Sequence, residues 1–132
     1  MSKKIVILNG SPRKKGNTSA LVNAFTEGAE SACNTVTEFF LFDMNIHGCK
    51  GCFGGHSGKE CPCVQKDDMD KIYPAVKACD VIVLATPLYY WNMSGQIRTA
   101  MDRLFALEEG DGNLLRGHDR ASALLMAAEG HD

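Results

Sequence analysis

One stretch near the N-terminus combines the residue types that bind phosphate groups. It runs from Gly10 to Ser19 and contains two glycines, three hydroxyl side chains and three positive charges. An apolar run at 5–8 precedes it and apolar residues at helical spacing follow it, so the pattern predicts a strand, a tight loop and a helix. The free N–H groups and the positive dipole end at a helix start suit a phosphate monoester. A capped helix without a ligand is the alternative, since Ser, Thr and Asn cap many helices.

A cluster of cysteines is the second feature that could carry chemistry. Four of the six cysteines lie within fifteen residues, at Cys49, Cys52, Cys61 and Cys63. In a reducing compartment this crowding favours metal or redox chemistry over a disulfide framework. Cys49-x-x-Cys52 has such a spacing, and Cys61-x-Cys63 would complete four thiolates for zinc or an iron–sulfur cluster. Free thiols in an irregular loop are the alternative.

Length and composition predict one domain over residues 1–132. This length suffices for a hydrophobic core, and a charged fraction of 23% is ordinary for a globular protein. The formal net charge of −2 gives no reason to expect nucleic acid or an acidic membrane as a partner. The sequence lacks both an apolar run of about 20 residues, as a membrane span needs, and the apolar core of a signal peptide. We therefore expect a cytoplasmic location.

Strands and helices alternate along the chain. Apolar, β-branched and aromatic runs predict four strands, at 5–8, 35–41, 81–85 and 121–128. Helices are expected after the first loop, after the acidic residues 67–70, and after a cap at Asn92 or Ser94. This alternation favours a parallel sheet with helices on both faces, in which ligands bind beyond the carboxyl ends of the strands.

Between the second strand and the second helix, residues 43–66 form a Cys- and Gly-rich inserted loop. Loops of this length inside compact domains are usually functional or disordered. The two remaining cysteines, Cys33 and Cys79, are predicted as small core residues on helix faces.

Five motifs, taken in order, resemble one protein family. They are Gly10-Ser11-Pro12-Arg13 with Gly16-Asn17-Thr18-Ser19, then Cys49-x-x-Cys52, then Lys66-Asp67-Asp68-Met69, then Thr86-Pro87-Leu88-Tyr89 with Met93-Ser94-Gly95-Gln96, and Asp102-Arg103. Together they resemble the flavodoxin-like NAD(P)H-dependent FMN reductases, and the branch with the iron–sulfur flavoproteins is nearest. The resemblance runs over residues 3–130.

The resemblance implies three FMN-binding loops. The phosphate would lie on Ser11, Arg13, Gly16, Asn17, Thr18 and Ser19. The isoalloxazine ring would lie against Pro87, Leu88, Tyr89, Tyr90 and Trp91, with Asn92 and Met93 near its polar edge. The third loop would be Ala128-Glu129-Gly130. Three consecutive aromatic residues cannot all point into one core, whereas flat side chains suit a flavin by stacking and excluding water. Ordinary packing is the alternative.

The resemblance also implies a fold and an activity. The fold would be a flavodoxin-like α/β three-layer sandwich with strand order 2-1-3-4-5. The flavin would take hydride from NAD(P)H and pass electrons to a small-molecule acceptor such as a quinone or free flavin, without a catalytic side chain. A homodimer is expected. The alternatives are an iron–sulfur flavoprotein that carries electrons between proteins, and a non-catalytic flavodoxin-like binding domain.

The sequence departs from this family in two places. A fifth strand and a last helix, expected after the third loop, are absent from these 132 residues. The fourth strand would then be a bare apolar edge, so we expect a longer protein or a second chain that covers it. In the cysteine loop, Cys49, Cys52 and Cys63 match the first, second and last of four cysteines, but the third position falls near Gly55. Cys61 could take the place of the third cysteine, but its spacing differs from that of the family motif.

Overall fold

A computed structural model describes residues 1–110 and 119–129 of the chain. Its strands are β1 (Lys4–Asn9), β2 (Thr35–Phe40), β3 (Val81–Tyr89), the two-residue β4 (Asn92–Met93) and β5 (Ala121–Ala127). Its α-helices are α1 (Asn17–Ser31), α2 (Met69–Ala78) and α3 (Gly95–Arg103). Short 3₁₀ turns cover Leu41–Asp43 and Leu104–Leu107.

The sheet confirms the predicted strand order. Strands β2, β1, β3 and β5 lie side by side and pair in parallel, and β5 is the predicted fourth strand. Ile7 and Leu8 in β1 and Val83 in β3 are fully buried, as expected of central strands covered on both faces. The carboxyl ends of β1, β3 and β5 therefore meet at one edge of the sheet, where the predicted ligand loops begin.

Helices cover both faces and make the three predicted layers. On one face Leu8 packs in a cluster with Ile72 of α2 and Ile97 of α3. On the other face Ile7 packs with Val22 of α1. Adjacent residues of β1 point to opposite faces, so one apolar run serves both cores. In the described part of the chain, none of the helices has the length and apolarity that a membrane span requires.

Two local elements differ from the sequence analysis. Strand β3 continues through Tyr89, well past the predicted end at Ala85, because β5 pairs with it as far as Pro87 and β4 folds back onto it. Cys33 is exposed and not part of the core. It follows α1 with a φ of 63°, and its N–H and that of Asn34 donate to the last carbonyl groups of the helix. This arrangement is a Schellman cap, whose left-handed position usually carries glycine.

Candidate ligand-binding cleft

An open cleft of about 380 Å³ lies at the carboxyl edge of the sheet. Three segments line it: Ser11, Arg13, Gly16, Asn17 and Thr18 after β1, Pro87, Leu88 and Tyr89 at the end of β3, and Ala127, Ala128 and Glu129 at the end of β5. The volume falls within the range of about 300–1,000 Å³ that is usual for small-molecule and cofactor sites. The fold thus brings together parts of all three predicted loops.

The first loop is shaped by hydrogen bonds among its own residues. The buried side chain of Asn9 accepts from the Ser11 N–H at 2.9 Å and donates to Glu38 of β2 at 2.9 Å. The Ser11 hydroxyl accepts from the Arg13 N–H and donates to the Arg13 carbonyl, both at 3.1 Å. The Ser19 hydroxyl donates to the same carbonyl at 2.8 Å. These bonds fix the Arg13 backbone beside the cleft before any ligand binds.

The start of helix α1 faces the cleft with favourable electrostatics for an anion. Gly16 is the cap residue, and because it has no side chain it does not cap the first N–H groups of the helix. The first turn contains no acidic residue. The first-turn N–H groups and the positive dipole end are therefore directed at the space that Asn17 and Thr18 line. Arg13 supplies the cation of this wall. Lys14 instead pairs with Asp43 at 2.7 Å, outside the residues that line the cleft.

The first loop is tied to the β3 segment through Ser94, the residue that caps α3. The Ser94 hydroxyl donates to the Gly10 carbonyl at 2.7 Å, and the Ser94 N–H donates to Thr86 Oγ1 at 2.9 Å. The Thr86 hydroxyl in turn donates to the Pro87 carbonyl at 2.8 Å. A Cβ on Gly10 would lie 2.5 Å from Ser94 Oγ and 2.8 Å from Ile97 Cβ, so this approach requires glycine. The two walls of the cleft are therefore held in register by buried polar contacts.

The aromatic segment divides between the cleft and a hairpin tip. Tyr89 lines the cleft, whereas Tyr90 and Trp91 form the two-residue turn between β3 and β4 and do not line it. Both turn residues have positive φ values, 47° and 63°, and they are 92% and 83% exposed. A two-residue turn with both φ values positive matches the right-handed twist of a hairpin, but it usually contains Asn and Gly. The turn geometry thus holds these two rings outward.

Asn92 and Met93, predicted near the polar edge of the ring, make up β4. Asn92 pairs with Tyr89, and Met93 pairs with Leu88. The Met93 N–H donates to the Asn92 side chain at 2.8 Å. Neither lines the cleft, but both are one strand away from residues that do. Of the third loop, Glu129 lines the cleft, and Gly130 lies outside the described residues.

The cysteine loop is separate from this cleft. Cys49, Cys52 and Cys63 border one small cavity of about 20 Å³, together with Arg103 and Glu109. Cys61 does not border it; partial burial and the neighbouring Asp70 carboxylate raise the pKa of its thiol. The four thiols therefore do not face one common point.

A buried ion pair anchors this loop to the end of α3. Arg103 Nη1 and Nη2 donate to the Asp67 carboxylate at 2.6 and 3.1 Å, and the two side chains are 1% and 0% exposed. Burial alone would raise the pKa of Asp67, but the bonds from Arg103 and from two backbone N–H groups hold it below its usual range. Arg103 also donates to the His47 carbonyl at 2.8 Å. Asp102 is exposed, so the sequence pair Asp102-Arg103 serves packing through its second member.

Sequence reasoning did not assign roles to several of these positioning residues. The buried polar side chains of Asn9, Thr86 and Ser94 hold the loops. Thr86 and Ser94 belong to the fourth motif and Ser94 is a predicted helix cap, but the sequence does not show that these side chains connect one loop to another. The one available signal was a polar residue directly after an apolar strand run, which Asn9 and Thr86 both show.

Comparison with known proteins shows the family to which this fold belongs. Residues 3–131 match the model of the family described as NADPH-dependent FMN reductase. An iron–sulfur flavoprotein from Archaeoglobus fulgidus is 35% identical over 127 residues, which cover 96% of this chain and 56% of that protein. The chain thus belongs to the NADPH-dependent FMN reductase family, in agreement with the resemblance seen in its motifs. It spans about half the length of the curated relatives it matches.

Solved structures share the architecture at low sequence identity. RosB with bound 8-demethyl-8-formylriboflavin-5'-phosphate superposes with a TM-score of 0.78 at 17% identity, over 98% of this chain and 54% of that one. An NAD(P)H:quinone oxidoreductase from Methanothermobacter marburgensis gives a TM-score of 0.73 at 17% identity, over 100% of this chain and 70% of that one. These structures confirm the flavodoxin-like fold.

Proposed function

We propose that this chain binds FMN noncovalently in the cleft and acts as an NAD(P)H-dependent oxidoreductase with a small-molecule electron acceptor. The observation that carries the proposal is the convergence on one cleft of about 380 Å³ of three loops, each of which the family resemblance implies to contact FMN. Membership of the FMN reductase family supports the same ligand.

The residues of the cleft fit a flavin mononucleotide. The first-turn N–H groups of α1, the Thr18 hydroxyl and the Arg13 guanidinium together offer the donors and the positive charge that a phosphate dianion needs. Leu88 and Tyr89 offer flat apolar surface on the opposite wall, where a ring can stack. In this proposal Ser11 and Ser19 act mainly by fixing the loop, because their hydroxyls already bond the Arg13 backbone.

When bound, FMN would accept hydride from NAD(P)H and release electrons to an acceptor such as a quinone or free flavin. The chain itself supplies binding, orientation and exclusion of water. The hydrogen bonds of Ser94 to Gly10 and Thr86 would hold the loop that binds the phosphate at a fixed distance from the β3 segment that contacts the ring. Tyr90, Trp91, Asn92 and Met93 lie beyond the cleft-lining residues and would contact the exposed edge of the ring or the incoming substrate.

An absorbance spectrum before and after NADPH tests this function. We expect flavin bands in the purified or FMN-supplemented protein, and we expect NADPH to bleach them under anaerobic conditions. Turnover with a quinone would then identify the acceptor class. A protein that stays colourless after FMN addition would contradict the proposal, and one that binds FMN but is never reduced by either nicotinamide nucleotide would support the non-catalytic alternative.

A substitution at Thr18 tests the phosphate wall. Thr18→Val keeps the shape of a side chain that is 3% exposed but removes its hydroxyl. Loss of one hydrogen bond to a charged group costs about 1.5–3 kcal/mol, so the Kd for FMN should rise about tenfold to a hundredfold. Fluorescence titration with FMN measures this change. Ser31→Ala, which removes a hydroxyl at the other end of α1, is the control and should bind as the wild type does.

A homodimer and a cytoplasmic location are part of the same proposal. They derive from the resemblance and from the sequence composition. Sedimentation of the flavin-loaded protein measures the oligomeric state, and fractionation of the source cells measures the location.

A further inference from the structure

Residues 48–63, the part of the inserted loop that carries the cysteines, return to the body of the protein beside the 3₁₀ turn that follows α3. We propose that a hydrogen bond to the Glu109 side chain holds this loop in its folded conformation, in place of a bound metal centre. In this proposal the cysteine thiols of the loop bind no metal. This inference does not depend on flavin binding.

The names of the relatives imply an iron–sulfur cluster, and the folded loop does not fit one. The cavity bordered by Cys49, Cys52 and Cys63 has a volume of about 20 Å³. A single water molecule needs about 10–15 Å³, so the cavity has room for about one water and not for several iron and sulfide ions. Among residues 1–110 and 119–129, no group of three or more His, Cys, Asp or Glu side chains is placed to hold a metal ion.

The Glu109 carboxylate lies against Gly55, near the position where the family's third cysteine falls. Its Oε2 accepts a hydrogen bond from the Gly55 N–H at 2.9 Å. A Cβ built on Gly55 would lie 2.0 Å from the same oxygen, so no side chain of any kind fits at position 55 while the carboxylate is there. The glycine and the carboxylate are therefore complementary parts of one contact.

The backbone of Glu109 makes a second hydrogen bond to the loop. Its carbonyl accepts from the Ser57 N–H at 2.6 Å, and the Ser57 side chain is buried. The loop is closed on itself by the bond from the His56 N–H to the Pro62 carbonyl at 2.9 Å. A carboxylate that accepts from a backbone N–H makes a charge-assisted bond, which is stronger than a neutral one.

An aromatic contact completes the attachment to the same segment. The rings of Phe53 and Phe105 meet edge to face with centroids 6.0 Å apart. The His56 ring packs against the backbone of Gly110, where a Cβ would lie within 3.0 Å of it. Residues 105–110 thus hold the loop by ring contacts and hydrogen bonds, which is the structural role that metal ligation has in many cysteine-rich loops.

Metal content gives the first test. The full chain, purified anaerobically, is incubated with ferrous iron and sulfide, or with zinc, and then desalted. We expect far less than one iron or zinc per chain and a full count of reactive thiols. About four irons per chain, or one zinc, bound in the wild type and lost in Cys49→Ser, would overturn the proposal.

Thiol reactivity gives the second test. Cys63 borders the cavity and is half-buried, whereas Cys49 and Cys52 are exposed and act as internal controls. Mass spectrometry follows alkylation of each thiol in the wild type and in Glu109→Ala, Glu109→Gln and Glu60→Ala. We expect Cys63 to react about tenfold faster in Glu109→Ala, because a bond to a charged group is lost. Glu109→Gln keeps only a neutral acceptor for Gly55, so its rate should fall between those of the wild type and Glu109→Ala. Glu60→Ala, which alters an exposed carboxylate of the loop, should react as the wild type does.

An unchanged Cys63 rate in Glu109→Ala would also overturn the proposal. Flavin content is measured in the same samples. If FMN does not bind, the proposed function fails while the thiol and metal results remain readable, so the two failures can be told apart.

Discussion

The buried pair of Asp67 and Arg103 makes one substitution, Asp67→Asn, sharply informative. Within residues 1–110 and 119–129, the Asp67 carboxylate accepts four hydrogen bonds. Oδ1 accepts from Arg103 Nη2 and from the Met69 N–H at 3.1 and 3.0 Å, and Oδ2 accepts from Arg103 Nη1 and from the His47 N–H at 2.6 and 3.0 Å. An asparagine would place its NH₂ group against two donors, whichever way its amide is turned.

The expected cost follows from burial. Removal of one partner from a buried ion pair leaves an uncompensated charge, and this costs about 3–5 kcal/mol. Arg103 is 1% exposed, so water does not compensate its charge. Since the asparagine keeps one acceptor oxygen, we expect the lower end, about 3 kcal/mol. With a urea m-value of about 1–3 kcal/mol per molar, the unfolding midpoint should fall by about 1–3 M.

Urea unfolding followed by circular dichroism measures this loss, and α3 itself supplies the matched control. Asp102 pairs with Arg98 at 3.6 Å, and the two side chains are 51% and 60% exposed. Asp102→Asn should therefore change the free energy of unfolding by less than about 0.5 kcal/mol. If the two variants fall within about 0.5 kcal/mol of each other, the buried pair does not stabilise the fold and the reasoning is wrong.

Three further predictions concern stability. The folded pKa of Asp67 lies below its usual value of 3.8, so the carboxylate contributes stability above about pH 4 that is lost as the pH falls through the folded pKa; in urea titrations from pH 7 to 3, the difference in the free energy of unfolding between wild type and Asp67→Asn should shrink. Cys33→Gly should raise the free energy of unfolding by about 0.5–1 kcal/mol because it relieves the left-handed backbone at an exposed site, and no gain with Cys33→Gly over Cys33→Ala would contradict this. Gly10→Ala should cost about 1–3 kcal/mol, because its Cβ would meet Ser94 and Ile97, and it should also lower FMN occupancy in a spectral titration.

Local sequence patterns determined the order of elements and the segments that meet in the cleft. Apolar runs such as 5–8 and 81–85 can be read directly as buried strands, and the alternation with helices leaves few topologies open. Parallel pairing then forces the loops after β1, β3 and β5 to one edge, so the cleft could be expected before any contact was seen.

Tertiary structure decided the contacts between residues far apart in the chain. The bond from Ser94 to Gly10 spans 84 positions, that from Gly55 to Glu109 spans 54, and the pair of Arg103 and Asp67 spans 36. Local periodicity carries no information about such partners, because burial and charge compensation are settled when whole elements pack. The same holds for the turn at Tyr90 and Trp91, where the twist of a hairpin and not residue preference imposes the left-handed backbone.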